Sequence, residues 1–362
     1  MTATQNNIIN QQSEKALPSF SIVYETENLS SVELDNIYRS LASISQQEVS
    51  PGQAEEFLII DAGNAPPNVI EELCAKYPWI TVEKADEIGY YEAKMLGAKI
   101  VTGEIVVFCD SDCEYTPNWL KDILSTFLKG PEIKVVAGET STAVRNIYEL
   151  AIASNYFFPR FSKKQEPYPS SNYFLNAVAF RRDFLLENPI PTNLPLYRGN
   201  CQLHCYYLCK LKGYDIWKHP LARAKHEPPT SSFIFWRSLL AGRDRIYRKY
   251  IKSVWQSNPN LKDFSQIDLN KELTKNQSFQ EIFSTIFRSP FKLRMILSVV
   301  RENPSRILLL PLALPFILWF ELLRSTGTII SYFNPNWLME AYKRKEEKEE
   351  QSQEAVSVSA AK

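Results

Sequence analysis

Two aspartates, Asp110 and Asp112, are separated by a single residue and directly follow the apolar stretch 104–109. Carboxylates at this spacing can hold a hard divalent cation such as Mn²⁺ or Mg²⁺, and the cation can also bind the oxygens of a diphosphate. A cation held there neutralises the charge that develops on a leaving diphosphate. A pair of aspartates in a loop is often only solvated, so the apolar stretch before it is what makes this pair informative.

The elements that must position this pair follow from the apolar pattern around it. Apolar runs predict strands over 20–24, 57–60, 80–82, 104–109, 134–138, 176–180 and 214–217. Helical spacing predicts helices over 29–44, 67–77, 90–101, 119–129, 148–161, 182–187, 202–212 and 233–250. Residues 167–172 contain two prolines and are predicted to form a loop. Alternating elements of this kind predict an α/β fold with a mostly parallel sheet, whose ligands bind beyond the carboxyl ends of the strands.

Composition narrows the class of protein. The 362 residues include 41 Lys plus Arg and 41 Asp plus Glu, so the formal net charge is zero, which gives no reason to expect a nucleic-acid partner. The six cysteines are predicted to be small buried residues in a reducing compartment, because the chain is long enough to bury a core and opens without a secretory signal. Residues 1–18 are polar and are predicted to form a disordered leader.

The composition changes towards the carboxyl terminus. Residues 307–320 are apolar without interruption and include Pro311 and Pro315. The run is short for a spanning helix, which needs about 20 residues, and proline weakens a straight helix. We therefore expect a re-entrant or interfacial membrane segment with a second apolar piece at 329–333, the alternative being a buried helical hairpin. Residues 336–362 are predicted to be a charged, disordered tail.

Three blocks of the chain resemble family 2 glycosyltransferases, which have the GT-A fold, a Rossmann-like sheet. They are residues 89–98 (GYYEAKMLGA) with 102–112 (TGEIVVFCDSD), residues 176–183 (NAVAFRRD), and residues 213–216 (GYDI) with 222–226 (ARAKH). Lys94 stands where that family usually has arginine. The blocks occur in the family's order between about residues 19 and 250, and this resemblance implies a GT-A catalytic domain over 19–250.

The resemblance also implies roles for individual residues. Glu25 and Asp61 would lie near the base and ribose of a nucleotide, Lys94 near its phosphates, and Asp110 at the ribose. Asp112 would bind the metal, together with Asp110, and His226 would complete the metal or diphosphate site. Without the resemblance, Lys94 would be interpreted as part of a solvated helix face and His226 as a loop histidine.

One departure from the family concerns the general base. Inverting members usually carry a Glu-Asp pair at the start of the helix that precedes the Gly-Tyr strand, and its aspartate accepts the proton of the acceptor hydroxyl. Here the corresponding residues are Cys201 and Gln202, which cannot accept that proton as a carboxylate does. Glu139 and His204 are the remaining candidates for the base. A shifted site or a loss of transfer activity would also account for the departure.

The prediction is a metal-assisted glycosyltransferase at the cytoplasmic face of a membrane. It would use Mn²⁺ or Mg²⁺ to transfer a sugar, with inversion, from a nucleoside-diphosphate sugar to a hydroxyl of a lipid or polysaccharide acceptor. A helical, membrane-associated extension over 251–335 would follow the catalytic domain, and the basic, aromatic helix 233–250 could face anionic lipid. The alternative is a non-catalytic GT-A-like protein that binds nucleotide sugar or scaffolds a membrane assembly. Sugar nucleotidyltransferases and nicotinamide enzymes are disfavoured because no glycine-rich loop follows the first strand.

Overall fold

The computed structural model describes most of the chain. The described residues are 16–26, 34–63, 65, 67–155, 160–258, 261, 296–297, 299–301, 303–345 and 347–348. The predicted leader lies outside these residues except for 16–18, and most of the predicted tail also lies outside them.

Nine strands form one sheet in the described part of the chain. They are β1 (Phe20–Glu25), β2 (Phe57–Asp61), β3 (Ile80–Lys84), β4 (Ile105–Cys109), β5 (Cys113–Tyr115), β6 (Val135–Thr142), β7 (Tyr168–Ser170), β8 (Ala177–Arg181) and β9 (Ile216–His226). The order is β3-β2-β1-β4-β8-β6-β9-β5, and β7 pairs with β9. Strands β1 to β4 are mutually parallel, as predicted, whereas β8, β5 and β7 each pair antiparallel with their neighbours.

Within the same described ranges, α-helices connect or flank these strands. They are α1 (Leu34–Ser45), α2 (Pro67–Lys76), α3 (Tyr90–Ile100), α4 (Trp119–Phe127), α5 (Ile147–Asn155), α6 (Arg182–Glu187), α7 (Asn200–Tyr206), α8 (Ser231–Ser257) and α9 (Leu310–Phe333). A π-helical turn, Tyr207–Leu211, continues α7, and short 3₁₀ helices occur at Pro51–Gln53 and Pro304–Leu308. The predicted domain boundary at residue 250 falls inside α8.

Both faces of the sheet are covered by apolar cores, which explains why the sequences of its strands are continuous apolar runs. In β1, Ile22 and Tyr24 belong to the core on one face, and Val23 belongs to the core on the other. All six cysteines are free thiols, and Cys109, Cys113 and Cys205 are buried. This two-sided burial fixes the carboxyl ends of β1, β2 and β4 at one common edge.

Three local predictions are wrong. The predicted loop 167–172 contains β7, and its Pro169 is tolerated because β7 pairs on only one side in the described sheet. The last strand begins at Ile216 rather than Tyr214 and continues through Pro220 to His226, so a proline does not end it. Helix α5 ends at Asn155, and Arg160 and Phe161 are not helical.

The carboxyl-terminal apolar segment is one helix rather than two pieces. Pro311 lies in the first turn of α9, where a missing N–H leaves no helical hydrogen bond unmade, and the helix continues through Pro315 to Phe333. The helix is long and apolar enough to cross a membrane by length and composition alone. Residues 337–345 are also helical, so the predicted disordered tail does not begin at 336.

One side of α9 packs closely on α5 and α8. The Thr328 hydroxyl donates to the Gly242 carbonyl of α8 over 3.1 Å, and the Arg324 guanidinium donates to the Asn155 carbonyl of α5 over 2.6 Å. A Cβ added at Gly327 would lie 2.0 Å from the Leu239 carbonyl oxygen, and one added at Gly242 would lie 2.1 Å from the Arg324 carbonyl oxygen, so the two glycines allow the backbones to touch. The opposite side of α9 exposes large apolar side chains, among them Leu312, Leu318, Leu322 and Phe333.

Gly327→Ala tests this close contact. The added methyl group must push α9 away from α8, and we expect a loss of about 1–3 kcal/mol in unfolding free energy, seen as a lower Tm in detergent solution. The loss should appear although alanine normally stabilises a helix by about 1 kcal/mol relative to glycine. Gly52→Ala is the matched control, because its Cβ would meet no atom closer than 3.5 Å. An unchanged or raised Tm in Gly327→Ala would contradict this packing.

Candidate active site

Asp110 follows β4 and is held by four groups. Its Oδ1 lies 2.8 Å from the Lys94 ammonium, and its Oδ2 accepts a hydrogen bond of 2.8 Å from the Tyr90 hydroxyl. Its backbone N–H donates to the Tyr115 hydroxyl over 2.9 Å, and its carbonyl accepts from the Ser40 hydroxyl over 2.9 Å. The carboxylate is therefore fixed in orientation before any ligand binds.

Lys94 is fully buried behind Asp110. Besides its ion pair, it donates a short hydrogen bond to the Cys109 carbonyl. Burial favours the neutral amine, but the carboxylates of Asp110 and Glu25 outweigh it and raise the pKa of Lys94. Lys94 thus holds Asp110 in place, and its predicted position near the phosphates of a nucleotide stays a prediction. The alternative of a solvated helix face is wrong, because the side chain has no exposed surface.

Asp112 and His226 meet at the same edge of the sheet. The Asp112 Oδ2 lies 3.0 Å from the His226 Nε2, and the His226 Nδ1 lies 2.6 Å from the Glu227 carbonyl oxygen. Burial raises the pKa of Asp112 and lowers that of His226, yet the charges of the pair reverse both shifts: the pKa of Asp112 is lowered and that of His226 is raised. The direct pairing of Cys113 with His226 between β5 and β9 brings the two side chains together.

These side chains fit a divalent metal. Ligand atoms of Asp112, Cys113 and His226 lie within 4.8 Å of one another, the one such group among the residues that the structure describes. Carboxylate oxygen and imidazole nitrogen suit Mn²⁺, whereas burial raises the pKa of the Cys113 thiol and keeps it protonated. Asp112 and His226 could therefore hold a metal, with Asp110 beside them.

A cleft opens in front of these groups. Its lining includes Asp110, Asp112 and His226, and it also includes Arg198 and Arg237. The Arg198 guanidinium lies over the Tyr90 ring at 4.5 Å. A guanidinium group can donate two parallel hydrogen bonds to the oxygens of one phosphate. The cleft therefore combines residues that could hold a metal with residues that could bind a diphosphate.

Sequence reasoning missed both arginines as site residues. Arg237 lies in the helix that was interpreted as facing lipid, and Arg198 precedes Gly199 in an irregular stretch. Gly199 adopts a φ of +119°, a conformation that favours glycine, at the start of α7. Its N–H donates to the Tyr91 hydroxyl over 3.2 Å. The sequence signal that could have indicated Arg198 is its position directly before Gly199, the glycine at the start of α7.

The place expected for the general base also lines the cleft. Cys201 and Gln202 are both part of the lining, so the family resemblance pointed to a position within reach of a ligand. Burial raises the pKa of the Cys201 thiol, which is therefore protonated. Among the described residues, Asp110 and Asp112 are the two carboxylates that line the cleft.

Glu139 and His204, the other candidates for the base, lie outside the cleft lining. The Glu139 carboxylate accepts hydrogen bonds from the Ser162 N–H over 2.6 Å and the Tyr168 hydroxyl over 2.9 Å. The two ring nitrogens of His204 contact the Tyr173 hydroxyl at 2.6 Å and the Asn188 carbonyl at 2.9 Å. Both side chains are buried and hydrogen-bonded within the fold, and a role of either as the general base stays a prediction.

Glu25 and Asp61 end β1 and β2 at the same sheet edge as Asp110. The Asp61 Oδ1 accepts hydrogen bonds from the Thr26 hydroxyl over 3.0 Å and the Gly63 N–H over 3.1 Å. Glu25 is fully buried. Neither residue is part of the cleft lining itself, and their assigned contacts with a nucleotide stay predictions.

The likeness to solved structures places this architecture among known folds. One similar structure is that of the mannosyltransferase PcManGT from Pyrobaculum calidifontis in complex with GDP-Man and Mn²⁺. The superposition covers 89% of this chain and 88% of the mannosyltransferase chain, with a TM-score of 0.53 and 16% sequence identity. The structure of GalNAc-T7 with UDP, GalNAc and Mn²⁺ has a TM-score of 0.50 and 14% identity, over 76% of this chain and 59% of its own. Residues 31–188 match glycosyl transferase family 2. The chain has a GT-A fold.

Sequence relatives of this GT-A chain agree with the fold. It is 25% identical to human polypeptide N-acetylgalactosaminyltransferase 15 over 128 residues, which are 35% of this chain and 17% of the relative. It is 31% identical to polypeptide N-acetylgalactosaminyltransferase 3 of Taeniopygia guttata over 75 residues, which are 21% of this chain and 12% of the relative. The chain thus spans under a fifth of the length of these two relatives.

His204→Gln tests the structural role of His204 through pH. Burial lowers the pKa of His204 from 6.5 to about 4, so the folded state keeps the ring neutral while the unfolded chain takes up a proton below pH 6.5. Stability is therefore lost as the pH falls from 6.5 towards 4, by up to about 3 kcal/mol. Urea unfolding at pH 7 and pH 4 should show a smaller acid loss in the variant. Parallel pH curves for the two proteins would contradict the buried, neutral assignment.

Proposed function

We propose that the chain is a metal-assisted glycosyltransferase that transfers a sugar from a nucleoside-diphosphate sugar to a hydroxyl of a lipid or polysaccharide acceptor. The observation that carries this proposal is the cleft at the carboxyl edge of the sheet. There the Asp112–His226 pair and the fixed carboxylate of Asp110 share one lining with Arg198 and Arg237. An acidic metal site beside two guanidinium groups suits a metal-bound diphosphate.

Each group in the proposed donor site has a physical task. Asp112 and His226 would hold Mn²⁺ or Mg²⁺, which supplies Lewis-acid neutralisation of the leaving diphosphate. Arg198 and Arg237 would bind the diphosphate oxygens from the other side of the cleft. Asp110, oriented by Lys94 and Tyr90, would accept a hydrogen bond from the ribose. Both solved structures named above contain Mn²⁺ with a nucleotide or nucleotide sugar, which supports this donor class.

Glu25 and Asp61 complete the proposed nucleotide site. They end neighbouring parallel strands, and a base bound beyond β1 and β2 would meet the free side of the Asp61 carboxylate. The anchored Oδ1 of Asp61 leaves Oδ2 to face a donor on the nucleotide base.

The proposed acceptor and location rest on α9. Its exposed side carries large apolar groups over its whole length, with Leu312 58% and Phe333 74% exposed. A contiguous apolar face of this kind marks a lipid or protein contact. We place it against the cytoplasmic face of a membrane, which favours a lipid or a growing polysaccharide as acceptor.

Nucleotide titration tests the donor site. We expect one of UDP, GDP and dTDP to bind in a Mn²⁺-dependent manner, and Asp112→Ala to weaken that binding at least about tenfold because the metal loses a ligand. Isothermal titration calorimetry with and without Mn²⁺ measures both effects. Asp183→Ala is the control, because Asp183 is exposed on α6 beside the opposite edge of the sheet. If none of the three nucleotides binds, the donor-site proposal fails.

A non-catalytic nucleotide-sugar-binding protein or membrane scaffold is the second candidate. It is favoured by Cys201 and Gln202, which line the cleft where a base carboxylate is expected. Release of free nucleoside diphosphate from the donor sugar in the presence of Mn²⁺ separates the two. Tight binding without any release would support the scaffold.

Inversion at the anomeric carbon is the prediction that the family resemblance makes. Transfer from an α-linked donor should then give a β-linked product, and the anomeric coupling constant in a proton NMR spectrum of the first product distinguishes the two. A backside attack by a hydroxyl needs a group that takes its proton. An α-linked product would contradict inversion, and it would accord with a cleft whose described carboxylates are only Asp110 and Asp112.

A further inference from the structure

A second cavity lies beside the cleft, on the other side of the end of β9. His226 lines the cleft, while its neighbours Lys225 and Glu227 line the second cavity, which has a volume of about 400 Å³. The charged lining of this basic pocket consists of Arg39, Glu114, Arg145, Lys225, Glu227 and Arg306. Counting also the buried Glu149, which pairs with Arg145 over 3.0 Å, four cationic side chains face three carboxylates, and the formal excess of one positive charge favours an anion.

Ion pairs fix two of the arginines in the wall of the basic pocket. The Arg145 Nη2 lies 2.9 Å from both carboxylate oxygens of Glu227. The Arg39 Nη1 lies 3.2 Å from Glu114, and its Nη2 lies 3.4 Å from Glu227. Because each guanidinium has five N–H donors, these ion pairs set their orientation and leave donors for a ligand.

Two polar groups of the pocket have no partner in the described parts of the chain. Lys225 is exposed, and no carboxylate of the described residues forms an ion pair with it. Thr142 is 7% exposed, and its hydroxyl has no hydrogen-bond partner among those residues. A buried hydroxyl without a partner costs free energy, so an acceptor from a ligand would satisfy it.

The position of the pocket indicates which anion it binds. Arg306 belongs to the 3₁₀ helix Pro304–Leu308 immediately before α9. The side chains that follow it, Ile307 and Leu308, are 58% and 78% exposed, and Leu312 is 58% exposed. A phosphate seated in the pocket would thus have an exposed apolar surface beside it for an attached hydrocarbon chain.

We infer that the basic pocket binds the phosphate group of a lipid-linked acceptor, whose hydrocarbon chain lies along the exposed side of α9. This inference rests on the proposed transferase function, because it names the class of acceptor for the same enzyme. Phosphate is recognised by Arg145, Lys225 and Arg306 as charge-assisted donors. The hydrocarbon chain lies against the same apolar face that we place at the membrane, so it stays out of water while its phosphate is bound.

The test uses the full-length protein and three soluble probes below their aggregation limits: farnesyl phosphate, farnesol and inorganic phosphate. Binding is measured by calorimetry for the wild type, for the double variant Lys225→Gln/Arg306→Gln, and for Lys99→Gln. Lys99 is an exposed lysine at the end of α3 and serves as the matched control. We expect farnesyl phosphate to bind more tightly than either other probe. The double variant should weaken it at least about tenfold, and Lys99→Gln should leave it unchanged.

Three results would overturn the inference. Equal affinity of the wild type and the double variant for farnesyl phosphate would place its site elsewhere. Weakening by Arg198→Gln but not by the double variant would place it in the cleft. Inorganic phosphate binding as tightly as farnesyl phosphate would remove the lipid from the proposal.

Nucleotide binding distinguishes failure of this inference from failure of the proposed function. The double variant should bind the nucleoside diphosphate with Mn²⁺ as the wild type does. Loss of farnesyl phosphate selectivity with intact nucleotide binding overturns the acceptor inference alone. Farnesyl phosphate binding to a protein that binds no nucleotide supports the pocket and overturns the donor site.

Discussion

The buried ion pair between Lys94 and Asp110 is the constraint on which the site depends. An ammonium group without any solvent contact is tolerated only because carboxylates surround it, and here those of Asp110 and Glu25 keep it charged. In return, the ammonium fixes one Asp110 oxygen while the Tyr90 hydroxyl fixes the other. The carboxylate that follows β4 is thereby oriented before a ligand binds. Asp112 lies two residues further along the chain, so the same strand end also sets its position.

Strand topology supplies the second half of the metal site. Strand β9 is parallel to β6, which shares the direction of β4 through the antiparallel β8, so β9 also ends at the edge where Asp112 lies. The pairing of β5 with β9 then sets Cys113 opposite His226. The imidazole and the Asp112 carboxylate stabilise each other's charged forms, and the same pair presents oxygen and nitrogen ligands to a metal.

The apolar helix α9 packs on the rest of the fold with one side and exposes the other side. The close approach of α9 and α8 at Gly242 and Gly327 holds it against the domain, with Thr328 supplying a hydrogen bond across the contact. Its opposite side stays apolar and exposed. Helix α8 carries Arg237 into the cleft, so the element that anchors α9 also contributes to the proposed donor site. The basic pocket at the start of α9 lies beside both, next to the end of β9.

The sequence by itself determined the features that depend on local pattern. Apolar runs and helical spacing predicted the alternating elements, and with the family resemblance they predicted the GT-A fold. Asp110 and Asp112 were placed at a strand end because the preceding strand is contiguous with them. The tertiary structure alone decided that Lys94 is buried and that Arg198 and Arg237 converge on the cleft. It also showed that Glu139 and His204 are engaged elsewhere. These outcomes depend on contacts between residues far apart in the chain, which local spacing does not encode.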